Sequence, residues 1–284
     1  NEWMHKWLIR CLRFIDVRLL YAFASVFIVP ICIIVRPGGH IIYHYFRRRQ
    51  YSRPSALWKT YINHCLFAQT VIDKFAMYAG KQFRIEIEGY EKFLSLESKE
   101  DSFMLLSSHI GNYEIAGYTL VSDNKPLNAL VFADEKVSVM QNRESMFQKT
   151  NIKLIPIRQD MSHLFEINRA LQEGETISIP ADRISGSNKT IEKQFLGAPA
   201  GFPFGPFNIA VLKGLDVLAV NVMKASVGTY KIHVTPLYYD KTESKEKQID
   251  ELSDRYVKEL ERLLHLYPEQ WYNYFDFWKD GNKH

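Results

Sequence analysis

The stretch Phe103-Met-Leu-Leu-Ser-Ser-His109-Ile-Gly-Asn-Tyr-Glu114 decides the fold class of this 284-residue chain. Its apolar run, Phe103–Ser107, is too short for a buried helix and suits a strand covered on both faces. The run empties into a polar turn, and Gly111 and Asn112 break the pattern. A helical spacing then runs from Tyr113 to Leu120, with Asn112 at the N-cap. His109 is thereby expected at the carboxyl end of a strand, where open α/β sheets build their sites.

The same alternation extends outward. Apolar strand patterns recur at Leu127–Phe132, Ile152–Ile157, Thr176–Ile179, Val217–Met223 and Tyr230–Pro236. Helical patterns separate several of them, at Val137–Lys149 and Ser162–Leu171, and Asp240–Glu251 leads into a helix that Pro268 stops. Upstream, Phe83, Ile85 and Ile87 alternate with charged residues as a strand with one wet face, ended by Gly89. Before it, the apolar residues from Leu57 to Phe75 recur at helical spacing. These elements predict an α/β fold with a mixed, largely parallel sheet flanked by helices.

On a continuous helix, residues five apart would face about 140° away from each other. With Gly111 and Asn112 bending the chain, His109 and Glu114 can meet. The carboxylate would hold one ring nitrogen and leave the other to take a proton. The H-x4-[DE] spacing is weak by itself, since nine His and 32 acids supply about one such pair by chance in any chain of this size. A structural histidine on a turn would read the same way; the strand–turn–helix setting favours the base. Backbone N–H groups of the turn are the expected oxyanion donors. Ser107 and Ser108 adjoin the histidine, but no G-x-S-x-G elbow surrounds them, which speaks against a covalent acyl-enzyme.

A second strand ends alike, at Thr176-Ile-Ser-Ile-Pro180-Ala181-Asp182-Arg183. Arg183 is a candidate for bidentate binding of phosphate or carboxylate, with Asp182 in support; a surface ion pair is the competing account. Arg158, directly after Ile152–Ile157, is a third candidate, although a lone arginine there is more often solvated. The Gly-, Pro- and Phe-rich stretch from Gln194 to Pro206 is expected to be an ordered loop, leading into a helix from Asn208. It would line an apolar channel or simply pack its phenylalanines into the core.

Composition sets the limits. A 46 % hydrophobic and 14 % aromatic chain can bury a large core and leaves little room for disorder. Cys11, Cys32 and Cys65 lack metal-ligand spacing and fit a reducing compartment. The histidines form no H-E-x-x-H pair and no glycine-rich phosphate loop is present, so neither a metal nor a nucleotide cofactor is expected. Of the net charge of +4, residues 1–53 hold nine Lys/Arg against two acids, while the remainder holds 27 against 30. The basic charge belongs to one end, which excludes a generally basic, nucleic-acid-binding protein and points to anionic lipid or an acidic partner. That end also carries the uncharged run Leu19–Val35, about the minimum length of a membrane span, between basic flanks and aromatic residues. Pro30 removes one helical hydrogen bond, and a kink there would let the run re-enter or lie at the interface instead of spanning. No small-residue cleavage site follows, which disfavours a signal peptide. Residues 1–53 therefore read as a membrane-anchoring segment and 54–284 as a catalytic domain. A buried core helix would show the same apolar run.

Taken in order, these segments resemble the lipid A biosynthesis (lauroyl/myristoyl) acyltransferase family, within the lysophospholipid acyltransferase superfamily. The N-terminal apolar helix is followed by Tyr43-His-Tyr-Phe-Arg47-Arg48-Arg49, and then by His109-Ile-Gly-Asn-Tyr-Glu114. Ile179-Pro-Ala-Asp182-Arg183, the Phe-rich stretch and Tyr267-Pro-Glu-Gln-Trp271 complete the set. The resemblance implies a bacterial inner-membrane enzyme, with its catalytic domain on the cytoplasmic side, moving a fatty acyl group from a thioester to a lipid hydroxyl. His109 would be the base and Glu114 its partner, while Arg158, Asp182, Arg183 and Asn112 would bind substrate. Acyl carrier protein is the implied donor, with acyl-CoA as the alternative. One departure matters. After Trp271 many such enzymes continue with aromatic residues and then His and Arg, whereas this chain reads Tyr-Asn-Tyr-Phe-Asp276-Phe-Trp-Lys279. Losing that basic pair weakens the case for a heavily phosphorylated lipid A precursor and leaves room for an amino-acid lipid, a lysophospholipid or a polyene-type pigment. A non-catalytic lipid- or carrier-binding protein of the same fold is the remaining alternative.

Overall fold

The computed structural model describes residues 12, 14–120, 122, 124–132, 151–158, 160–184 and 189–278. The strands are β1 (Arg84–Glu88), β2 (Phe103–Ser107), β3 (Leu127–Phe132), β4 (Ile152–Ile157), β5 (Thr176–Pro180), β6 (Thr190–Phe195), β7 (Ala198–Pro203), β8 (Asp216–Ser226) and β9 (Thr229–Pro236). The described helices are α1 (Val17–Val35), α2 (Gly38–Arg48), α3 (Arg53–Tyr78), α4 (Tyr90–Glu97), α5 (Tyr113–Thr119), α6 (His163–Gln172), α7 (Phe204–Leu212) and α8 (Lys245–Leu266). The helix expected over Val137–Lys149 lies outside the described residues.

Seven strands form one sheet in the order β1-β9-β8-β2-β5-β3-β4. Neighbours from β8 through β4 run parallel, β9 folds back antiparallel on β8, and β1 pairs parallel with β9. The sheet is therefore mixed and largely parallel, with helices on both faces. Period-two alternation divides its core. Met104 and Leu106 of β2 join Ile177 and Ile179 of β5 under α2, α6, α7 and α8. Phe103 and Leu105 face the other way, with Phe93 of α4 and Ile115 of α5.

The stretch from Gln194 to Pro206 differs from its expected form. It is the β6–β7 hairpin running straight into α7, which begins at Phe204 rather than Asn208. The hairpin turns on Leu196 (φ +50°) and Gly197 (φ +81°). Both signs are those of the two-residue turn that matches strand twist. Leu196 tolerates this rare conformation because its N–H donates to the Glu261 carboxylate of α8, at 2.6 Å. Phe195, Phe202 and Phe207 are fully buried in the core, so packing rather than channel lining accounts for them.

α1 is long and apolar enough to cross a membrane, and only 17 % of its most apolar window is buried, unlike a core helix. Its Pro30 lies just past a wider turn, Ala24–Ile28, where the Val29 N–H reaches back five residues to the Ala24 carbonyl. That turn absorbs the carbonyl a proline ring would otherwise strike. α2, by contrast, buries Ile42, Tyr45 and Phe46 in the main core. A buried polar cluster pins α1 to the body: Asp73 of α3 accepts hydrogen bonds from Tyr21 of α1, Tyr230 of β9 and the Lys224 ammonium of β8.

Candidate active site

Parallel pairing of β2 with β5 sets Ser107 opposite Pro180. Two residues beyond each lie His109 and Asp182, so register alone brings them face to face although 73 positions separate them. The Asp182 carboxylate accepts twice from His109, from the backbone N–H at 2.8 Å and from ring Nδ1 at 2.7 Å. Asn273 donates to the same carboxylate at 3.3 Å.

Asp182 is completely buried. Burial alone would push its carboxyl upward; the His109 charge and hydrogen bonds, with the Arg183 guanidinium, outweigh it and hold the group below the usual carboxylate range. An ionised carboxylate can only accept, so Nδ1 carries a proton, and in the neutral imidazole Nε2 is the nitrogen that holds the lone pair. Arg183 is tied down in turn, donating through Nε to Asn273 at 2.7 Å and through Nη2 to the Tyr272 carbonyl at 3.1 Å. The Phe275 ring lies 5.7 Å below its guanidinium.

The turn itself is clamped on two sides. The Gly111 N–H donates to the Gln270 carbonyl at 3.0 Å and the Asn112 N–H to the Val222 carbonyl at 2.8 Å. Gln270 also brackets Lys224 of β8, donating to its carbonyl at 2.8 Å and accepting from its N–H at 2.9 Å. Gly111 has φ +66°, and a Cβ there would meet the Val222 oxygen at 1.9 Å. Only glycine fits. The N–H groups of His109 through Asn112 are all engaged, that of Ile110 weakly with Ser108 Oγ at 3.4 Å. The expected oxyanion donors are therefore committed to holding the turn, and Arg183 and Lys74 are the cations that face the same space among the described residues.

That space is a cavity of about 470 Å³ in which His109, Asn112, Tyr113 and Arg183 meet Phe67, Val71 and Lys74 of α3 and Tyr272, Tyr274 and Phe275 of the C-terminal segment. The other sequence candidates fall variously around it. Asn112 occupies the N-cap position, buried, without a capping hydrogen bond. Glu114 lies in the first turn of α5, and its side chain lies outside the described residues. Arg158 follows β4, the outer strand; it pairs with Glu166 and Ser162 of the following segment and does not line this cavity. Asn273 and the three C-terminal aromatics are not among the residues the sequence singles out, since the stretch after Trp271 reads there only as a departure from the family pattern. Its density of aromatic residues was the available signal.

The geometry can be set beside known proteins. A search of curated proteins finds no match. Among solved structures, the chain is similar to the 1-acyl-sn-glycerophosphate (LPA) acyltransferase PlsC from Thermotoga maritima. The two share 18 % identity over 87 % of this chain and 95 % of that one, with a TM-score of 0.42. The family model of bacterial lipid A biosynthesis acyltransferases matches residues 70–280, a span that holds β1, the His109 turn, Asp182, Arg183 and the C-terminal aromatic segment. With most of its length matched, the chain belongs to the bacterial lipid A biosynthesis acyltransferase family.

Proposed function

We propose that this chain transfers a fatty acyl group from an acyl thioester, carried by acyl carrier protein, to a hydroxyl of a membrane lipid acceptor. The observation that carries the proposal is the His109–Asp182 pair at the wall of an aromatic cavity. Nε2 of His109 removes the proton of the acceptor hydroxyl as its oxygen attacks the thioester carbonyl. A carbon–oxygen bond forms and the carbon–sulfur bond breaks; the proton then passes from the imidazolium to the departing thiolate. Asp182 fixes the tautomer and stabilises the imidazolium. Arg183, already oriented by Asn273 and Phe275, supplies positive charge for the oxyanion or for an acceptor phosphate. Glu114, in the helix that opens from the same turn, is a second supporting carboxylate, and buried Asn112 shapes the floor.

α1 anchors the enzyme in the bacterial inner membrane, with the catalytic body on the cytoplasmic face. Its exposed Phe23, Phe27, Ile31 and Ile34 support this placement. Acyl-CoA is the alternative donor. The test is transfer of radiolabel from acyl carrier protein into total membrane lipid. Wild type is expected to give a labelled lipid that His109→Ala does not; equal labelling by both would remove His109 from the mechanism.

A further inference from the structure

A second, larger cavity of about 550 Å³ lies between α2 and the C-terminal segment. One of its walls is the exposed face of α2. The buried face of that helix carries Ile42, Tyr45 and Phe46, while His40, His44, Arg47 and Arg48 recur at helical spacing along the outer face. The opposite wall is Phe275 through Trp278, including Asp276. Arg48 does not wave free in solvent: its guanidinium stacks on the Trp278 ring at 4.5 Å. A guanidinium held over a ring keeps its N–H donors for other partners, and Arg48 lines the cavity, where an oxyanion would meet them. Arg47 is steadied by a hydrogen bond to the Tyr51 carbonyl. His40 and His44 stand edge to face with ring centres 4.3 Å apart.

Phe275 belongs to the linings of both cavities. The two cavities therefore adjoin at this residue, and a long ligand with its anionic group among the α2 side chains would extend past Phe275 toward His109. A thioester borne on a long flexible arm with a phosphate at its root has that shape. An anionic lipid headgroup offers the same phosphate chemistry, but nothing about a headgroup requires a passage to the base.

We propose that the His40–His44–Arg47–Arg48 cavity binds the phosphate of the acyl donor's arm, so that the thioester extends past Phe275 to His109. This rests on the acyl-transfer reading and adds to it the donor's phosphate as a recognised group. Asp276 faces the same space and opposes over-tight holding of a product that must leave.

The direct test is equilibrium binding of 4′-phosphopantetheine and of phosphate-free pantetheine to the full chain. The variants are Arg47→Gln/Arg48→Gln and, leaving the Trp278 stack intact, His44→Gln/Arg47→Gln. Wild type is expected to prefer the phosphorylated compound, and each variant to lose about tenfold or more of that preference, the worth of one charge-assisted hydrogen bond. Turnover supplies the second readout. The variants should raise KM for acyl carrier protein thioester while handling a phosphate-free acyl-N-acetylcysteamine thioester as wild type does. Equal binding of the two pantetheines by wild type, or unchanged binding by both variants, overturns the proposal. So does a loss confined to flotation with phosphatidylglycerol vesicles, which would assign the cavity to lipid. Failure of wild type to transfer from any thioester would instead strike the acyl-transfer reading, because the binding measurement does not depend on turnover.

Discussion

Replacing Asp182 by Asn is the sharpest perturbation of the site, because it keeps shape and removes charge. The carboxylate now accepts two hydrogen bonds from His109, and a bond to an ionised partner is worth about 1.5–3 kcal/mol. If the introduced amide keeps its carbonyl on the His109 N–H, its NH₂ must face Nδ1. The imidazole is then driven to the other tautomer, with the proton on Nε2 and no lone pair toward the acceptor. Loss of one or both bonds in the transition state amounts to roughly 1.5–6 kcal/mol, or about tenfold to more than 10⁴-fold in kcat. Acyl transfer from acyl carrier protein would be followed for Asp182→Asn and Glu114→Gln side by side, with thermal unfolding as a control for folding. The expected order is a deep loss for Asp182→Asn and a milder one for Glu114→Gln. A folded Asp182→Asn enzyme within about threefold of wild type, under 1 kcal/mol, beside an inactive Glu114→Gln would refute the assignment and make Glu114 the partner of the base.

Three further outcomes are expected. Gly111→Ala should lower the unfolding midpoint and abolish transfer, since left-handed backbone costs about 1–3 kcal/mol by itself and the new Cβ would strike the Val222 oxygen; calorimetry and the transfer assay check both. Burial holds His64 and His233 below their usual range, despite a backbone carbonyl beside one and Glu88 beside the other. Their folded values are depressed, so the unfolded chain binds more protons, and stability should fall as pH drops through about 6.5 toward those values. Urea unfolding at pH 7.5 and 5.5 checks this, and His233→Gln should flatten the difference. Phe27→Ser/Ile31→Ser on the exposed face of α1 should weaken vesicle binding by about 1.5–3 kcal/mol per side chain without moving the unfolding midpoint; flotation reads the first and fluorescence the second.

Local pattern made much of this molecule readable. β2 runs over the residues its apolar run delimits, because a strand covered on both faces needs unbroken apolar sequence, and β3 and β4 keep their expected bounds although Asn128 and Lys153 interrupt them. The β6–β7 hairpin was harder, since its turn uses Leu196 where glycine or asparagine is the usual signal, and a distant Glu261 contact makes that tolerable. At the site, proximity along the chain drew attention to Glu114, whereas the carboxylate that meets His109 Nδ1 arrives through strand register. The clue was present in two apolar strands that each end in a polar turn, with the reactive residue at the same offset. Nothing local could announce that Asn273 orients Arg183, or that Gln270 brackets Lys224, because both depend on where the chain's last described segment returns. For α2, charge composition grouped it with the apolar helix before it, while its buried face placed it in the body.

The cluster of Tyr21, Asp73, Lys224 and Tyr230 has a mechanical meaning. The charged partners, Asp73 of α3 and Lys224 of β8, both belong to the body; α1 adds the Tyr21 hydroxyl, whose bond to the buried carboxylate contributes about 1.5–3 kcal/mol. α1 is therefore no loose mooring line but a keel set into the hull. Once it enters the bilayer, the tilt of the body and the height of the His109 cavity above the lipid surface follow from one fixed angle. Reach toward the acceptor is then a property of the keel's length and setting, and a membrane of different thickness would raise or lower the base relative to the hydroxyl it serves.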